Sequence, residues 1–238
     1  MVLKSPWDQP PSSANNIGPT RIPTFLCPSE VNDTVRTKSG QPYCYPLNYG
    51  VNCGAWFVFD PVSGNGGDGA FFPNAKLGTT AFTDGMSNTL LAAEVKAFTP
   101  YGRNMTSAPS AIPADVAALV LAAPDKKMGA ATNDNTGHTE WPDGRVPHGG
   151  FTTVLPPNTR VSVIFNGQEF DADFNTRQEG SSATVPTYAA VTSRSYNTGG
   201  VVNVAMMDGS VRSVTKGISQ AAWRAVGTRA GGEILGLD

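Results

Sequence analysis

The chain has 238 residues with a formal net charge of −2, 39% hydrophobic and 15% charged residues, 26 glycines and 19 prolines. That length buries a sizeable core, and the Gly and Pro content points to many short strands and turns rather than long helices. With Lys126-Lys127 the only basic pair, no stripe exists to displace counterions from DNA or RNA, and no apolar run of 18 residues exists to span a membrane.

Residues 1–22, rich in Pro, Ser and Asn, read as an extended lead-in. Residues 21–29 predict a short strand ending at Pro28, and 30–43 a polar loop. Residues 49–59 hold Val51, Trp56, Phe57, Val58 and Phe59, a strand-rich stretch, and 60–69 form a loop dense in turn residues. Asp84-Gly85 signals a turn before a central strand over 89–95, in which Glu94 is the one charge. Residues 97–150 read as a long, loop-rich insertion, least regular over 97–137. Its best element is a helix over 113–123, where Ala and Leu favour helix and Pro113 stands near the start.

Further strands are predicted over 150–155, 187–192 and 201–207, and a hairpin joins 161–165 to 169–174 through Asn166-Gly167. A second tight turn lies at Asp208-Gly209. The last helix covers Ser219–Arg229, capped by Ser219 and packed by Ile218, Trp223 and Val226. The fold class is α+β and β-rich, one head domain over 23–238 built on antiparallel sheet with a short C-terminal helix.

Three cysteines, Cys27, Cys44 and Cys53, have no CxxC spacing, which argues against a thiolate metal or redox site. Cys44 and Cys53 flank a bend and are the expected disulfide. The alternative is three buried thiols acting as small hydrophobes.

Two groups of residues have metal-ligand chemistry. The Pro142-Asp143-Gly144 turn could bring His138, Glu140, Asp143 and His148 together, and imidazole with carboxylate suits a transition metal, with His138, Glu140 and His148 the candidate ligands; the alternative is loops held by hydrogen bonds. Asp60, Asn65 and Asp68, with Ser63, offer oxygens to calcium, or else form a surface turn whose side chains bond their own backbone. Asp84 and Asp208 read as turn formers. Glu94 reads as one half of a structural ion pair with Arg212 or Arg224. The four tryptophans, Trp7, Trp56, Trp141 and Trp223, read as core more than as sugar platforms. No nucleophile elbow, P-loop or dinucleotide fingerprint is present, and no catalytic residue is expected.

Several ordered segments carry a resemblance: 25–30 (Phe-Leu-Cys-Pro-Ser-Glu), 48–52 (Asn-Tyr-Gly-Val-Asn), 66–73 (Gly-Gly-Asp-Gly-Ala-Phe-Phe-Pro), 83–89 (Thr-Asp-Gly-Met-Ser-Asn-Thr), 137–141, 150–153, 181–188 and the Asp208-Gly209 ending. On these the chain resembles DUF1559, a bacterial family best known from planctomycetes, with a prepilin-like helix ahead of a β-rich head and a His-x9-Asp-Gly signature near the end. The resemblance implies a pilin- or pseudopilin-like, non-enzymatic subunit of the envelope or cell exterior, as in type II secretion. It implies protein partners or self-assembly into a filament, and no cofactor beyond calcium. Two departures stand out. The sequence starts at the segment that follows the helix, and the place of the signature His is Asn197, which does not titrate near neutrality. A secreted polysaccharide- or metal-binding module is the alternative, and a metal-dependent hydrolase a weaker one.

Overall fold

The strand over Val201–Met206 alternates half-buried and buried along its length, with Val202, Val204 and Met206 facing inward. That period of two is what a strand on a packed sheet requires. The computed structural model describes residues 13, 16–129, 135–233 and 237. Among them the strands are β1 (Arg36–Lys38), β2 (Gln41–Cys44), β3 (Tyr49–Asn52), β4 (Phe57–Phe59), β5 (Leu90–Glu94), β6 (Tyr101–Arg103), β7 (Asp125–Lys127), β8 (Gly150–Phe151), β9 (Ser162–Phe165), β10 (Gln168–Asp171), β11 (Asp173–Asn175), β12 (Thr187–Ala190), β13 (Val201–Met206) and β14 (Val211–Thr215). The helices are α1 (Val116–Ala122), α2 (Val146–Gly149) and α3 (Gln220–Gly227), with short 3-10 turns between.

Two five-stranded sheets carry the fold, in the orders β14-β13-β5-β3-β8 and β4-β12-β11-β6-β7. Most pairs are antiparallel, as expected, but β3–β8 and β6–β11 are parallel. The stretch read as an insertion supplies β6 and β7, two strands of the second sheet, and ends at the start of β8 of the first.

One core lies where Val58, Ala189 and Val191 of the second sheet meet Leu90, Val95, Val202, Val204 and Met206 of the first, closed by Trp223 and Val226 of α3. The other lies on the opposite face of the second sheet, where Trp56, Phe174 and Ala190 meet Val116 and Val120 of α1 and Val163 of β9. Consecutive Ala189 and Ala190 point into different cores, the alternation expected of a strand covered on both faces.

Local signals explain most elements. Asp115 caps α1 by accepting the Ala118 amide at 3.0 Å, and Ser219 caps α3 by accepting the Ala222 amide at 3.1 Å. Asn166 and Gly167 both take positive φ in the β9–β10 turn, and Gly209 does so after Asp208. Ile218 packs against the first core beside Trp223 and Val226, as expected. The helix ends at Gly227, two residues before the expected Arg229.

Three expectations are corrected. Residues 21–29 form no strand. Pro23 opens a 3-10 turn over Pro23–Phe25, and prolines at 23 and 28 have no amide to give a ladder. Residues 30–43 are not all loop: β1 and β2 pair across Ser39-Gly40, both at positive φ. Cys44 and Cys53 are not bridged, and all three cysteines are free thiols. The Cys44 sulfur packs at Gly18, the Cys53 sulfur at Gly150, so the bend between them carries the two thiols to different neighbours. The lead-in lies largely outside the described residues.

Two tests follow. Alkylation of the unfolded protein without reductant adds three equivalents by intact mass, and an addition of one would show a bridge. Gly69 faces Gly54 so closely that an added Cβ would stand 2.2 Å from the Gly54 nitrogen, whereas Gly64 has open space at φ +73°. Gly69→Ala therefore lowers the unfolding free energy by about 3 kcal/mol or more and Gly64→Ala by about 1 kcal/mol, read from urea midpoints; equal costs would contradict this packing.

Candidate functional site

Polar side chains gather in two places. The first surrounds Glu94, the last residue of β5, which is 3% exposed. The Cys27 thiol donates to its Oε1 at 3.2 Å, and Asn203 Nδ2 donates to the same oxygen at 3.3 Å. Oε2 accepts from Asn197 Nδ2 and from the Asn203 amide, both at 2.7 Å. Ser29 in turn donates to Asn197 Oδ1 at 2.8 Å. A carboxylate buried in a strand thus has its lone pairs filled by charge-assisted hydrogen bonds from three other segments. The expected arginine partner is corrected. Arg212 donates to the Ser87 carbonyl and Arg224 to the Val154 carbonyl. Asn197, the residue at the resemblance's histidine position, is here a donor to Glu94.

The second cluster is the stretch from His138 to His148. Positive φ at His138 and the short helix α2 fold the stretch back on itself. Glu140 and Asp143 are 4% and 3% exposed, and His148 is fully buried. One donor atom from each of these three lies within 4.8 Å of the other two. His138 is not in this group. Its Nδ1 donates to the His148 carbonyl at 3.0 Å, a main-chain tie between the two ends of the stretch. So of the four groups expected to gather, Glu140, Asp143 and His148 come together and His138 does not.

Arg36 of β1, unremarkable in the sequence, reaches Glu140 Oε1 with Nη2 at 2.5 Å while both are buried. Arg145 Nη1 stands 3.7 Å from Asp143 Oδ2. Glu140 and Asp143 line a cavity of about 410 Å³ together with Arg36, Lys38, Tyr43 and Arg145.

Burial sets the charge states. Desolvation holds the His138 pKa down to about 3, helped by repulsion from His148 and Arg194. It holds His148 down to about 4 against the pull of Asp143. Both rings are neutral at pH 7. Desolvation raises Glu140 and Asp143, with Arg36 opposing it most at Glu140 and His148 at Asp143. Cys44, beside Glu140, is pushed up to about 12 by burial, so it stays a thiol.

The expected calcium loop does not converge. Asp60 accepts the Val62 amide at 2.9 Å and the Ser63 hydroxyl at 2.6 Å, closing its own turn. Asp68 turns to the Ala55 amide at 2.8 Å, and the Asn65 carbonyl accepts the Asp60 amide. Asp208 behaves as a turn residue and accepts the Ser210 amide and hydroxyl, whereas the Asp84 side chain is corrected to a long-range tie, accepting the Gly231 and Gly232 amides 147 and 148 residues away. Trp56 and Trp223 are buried, so neither presents a face to a sugar, and Trp7 lies outside the described residues.

A family model described as a protein of unknown function (DUF1559) matches residues 1–221. No curated protein and no solved structure matches the chain.

Two predictions test these clusters. Glu94→Gln puts an amide NH2 against donors and lowers the unfolding free energy by about 2–3 kcal/mol in urea titration; a cost under 0.5 kcal/mol would mean the network is not closed as described. His138→Asn keeps a donor near Nδ1 and tolerates the left-handed backbone. The histidine's folded pKa is depressed from 6.5, so its stability contribution is present above pH 6.5 and lost as pH falls toward 3. The wild type should lose up to about 1.4 kcal/mol per pH unit relative to the variant in that window. Parallel stability curves for the two proteins would refute a buried neutral ring.

Proposed function

The chain belongs to the DUF1559 family, and from that premise we propose that it is a non-enzymatic interaction subunit of the bacterial envelope or cell exterior, pilin- or pseudopilin-like, acting through protein–protein contacts or self-assembly. The observation that carries this reading is the use made of the acidic side chains. Glu94 takes the Asn203 amide, Glu30 the Ala97 amide, Asp68 the Ala55 amide and Asp84 the Gly231 amide. Asp173 takes the Thr192 amide and the Arg194 guanidinium. Each ties together segments remote in sequence. A catalytic acid or base must face a space for substrate and reach its proton within hydrogen-bond distance. Around Glu94 the donors are protein groups, and the space beside Cys27 and Glu94 admits no water-sized molecule.

Such tying makes a stiff head from many short loops, which suits a subunit that presents a surface. Val211, at the start of the edge strand β14, and Ile164, on the β9–β10 hairpin, are 71% and 69% exposed, apolar side chains available to neighbours. Among the described residues no helix is long and apolar enough to cross a membrane.

The test places a photo-cross-linking amino acid at Val211 or at Ile164 in the producing bacterium. The expected outcome is a discrete adduct with another copy or one recurrent partner, recovered from washed envelope or exterior material. Adduct-free monomer confined to the cytosol would overturn the reading. So would turnover of a peptide or glycan substrate by the purified chain that Glu94→Gln or Asp143→Asn abolishes without unfolding it.

A further inference from the structure

A buried imidazole normally has a hydrogen-bond partner on at least one nitrogen, because an unpaired buried polar atom loses its hydration without return. His148 has neither: Nδ1 and Nε2 are both buried and unpartnered, and the residue is fully enclosed. A donor atom of the same ring lies within 4.8 Å of carboxylate oxygens from Glu140 and Asp143. We infer that Glu140, Asp143 and His148 bind a divalent transition-metal cation of the zinc class, a role that goes beyond the interaction function proposed above and stands apart from it.

The donor set is right for such an ion. One neutral imidazole and two carboxylates are donors of the kinds zinc takes, the imidazole favouring it over calcium or magnesium, and three protein ligands leave a position for water or another ligand. A cation between the two carboxylates would relieve their mutual repulsion and give the ring nitrogen a partner. Glu140 and Asp143 form part of the wall of the 410 Å³ cavity, which supplies a path of entry.

Two neighbours shape the site without entering it. Arg36 holds Glu140 Oε1 from one side and fixes the carboxylate's orientation, as an outer hydrogen-bond partner does. His138 holds the His148 carbonyl and so fixes the turn on which the ring stands. Arg36 and Arg145 also bring positive charge close to the ion, which favours moderate over tight binding. The calcium-type loop at 60–68 has none of this: its acids already satisfy main-chain amides.

The test uses the full chain, stripped with chelator and titrated at pH 7.5 with Zn²⁺ by calorimetry and with Co²⁺ by visible absorption. The expected result is one equivalent bound, a rise in melting temperature on adding Zn²⁺, and a cobalt spectrum without thiolate charge transfer. Asp143→Asn should weaken binding by about tenfold or more. His148→Gln should do the same, and the Asp143 variant keeps the test informative where the His148 variant fails to fold. Cys53→Ser, whose sulfur is not among the donor atoms, should leave binding unchanged. No bound ion on the folded protein, unchanged affinity in folded Asp143→Asn, or a thiolate band in the cobalt spectrum would each overturn the assignment.

Discussion

Everything in the first sheet hangs on a carboxylate placed where a strand would ordinarily carry an apolar residue. Glu94 ends the central strand β5, and both neighbours of that strand depend on its position: β13 pairs with β5 on one side and β3 on the other. Its oxygens reach past the ladder to the Asn203 amide of β13, to Asn197 in the loop before β13, and to Cys27 in the segment that covers the sheet. A single charged group therefore fixes strand register and two loops together. Removing the charge leaves several buried donors short of an acceptor at once, a larger loss than any one of the hydrogen bonds.

The same device recurs through the molecule, and composition explains why. At 39% hydrophobic residues the chain is poor in material for a continuous apolar core. It folds around two modest clusters, and between them run loops whose amides need acceptors. Asp173 with Arg194 is the second such knot. The pair is buried, and Arg194 also reaches Asp171, whose carboxylate holds the Val161 amide. Desolvation pushes Asp173 up to about 6 even beside the guanidinium, which marks the cost of placing charge there. Such pairs are weak sources of net stability, but breaking one is expensive, so they favour a single arrangement over near alternatives.

How much of this was legible follows from range. The hairpin at Asn166-Gly167, the turn at Asp208-Gly209 and the helix capped by Ser219 were readable because their causes lie within four residues of each other, and the helix after Asp115 was readable from its Ala and Leu content, not from its cap. The hairpin at Ser39-Gly40 carried a weaker version of the same signal and was lost in a polar surrounding. The strand read over 21–29 failed because its apolar residues alternate with prolines that cannot pair. The partners of Glu94 were out of reach for a different reason. Asn197 and Asn203 stand 103 and 109 residues away, and nothing in either neighbourhood announces the pairing. An arginine was the natural expectation for a lone buried acid, yet amides met the need without a second charge to desolvate.

The His138–His148 stretch shows where local reading stops short even at close range. The sequence placed two imidazoles and two acids within eleven residues, and the ring–carboxylate grouping was expected from that. Which donors converge was decided by backbone: positive φ at His138 turns its ring to the His148 carbonyl, while the Pro142-Asp143-Gly144 turn carries Asp143 inward beside Glu140 and His148. Arg36 then arrives from a hairpin a hundred residues earlier and holds Glu140 in place. One histidine serves the chain's own main chain and the other is left with two unpaired nitrogens in a closed interior. His138 keeps one nitrogen paired while its Nε2 is buried without a partner, whereas neither nitrogen of His148 is paired; that ring, beside two carboxylates, is the one that calls for something the polypeptide does not itself supply.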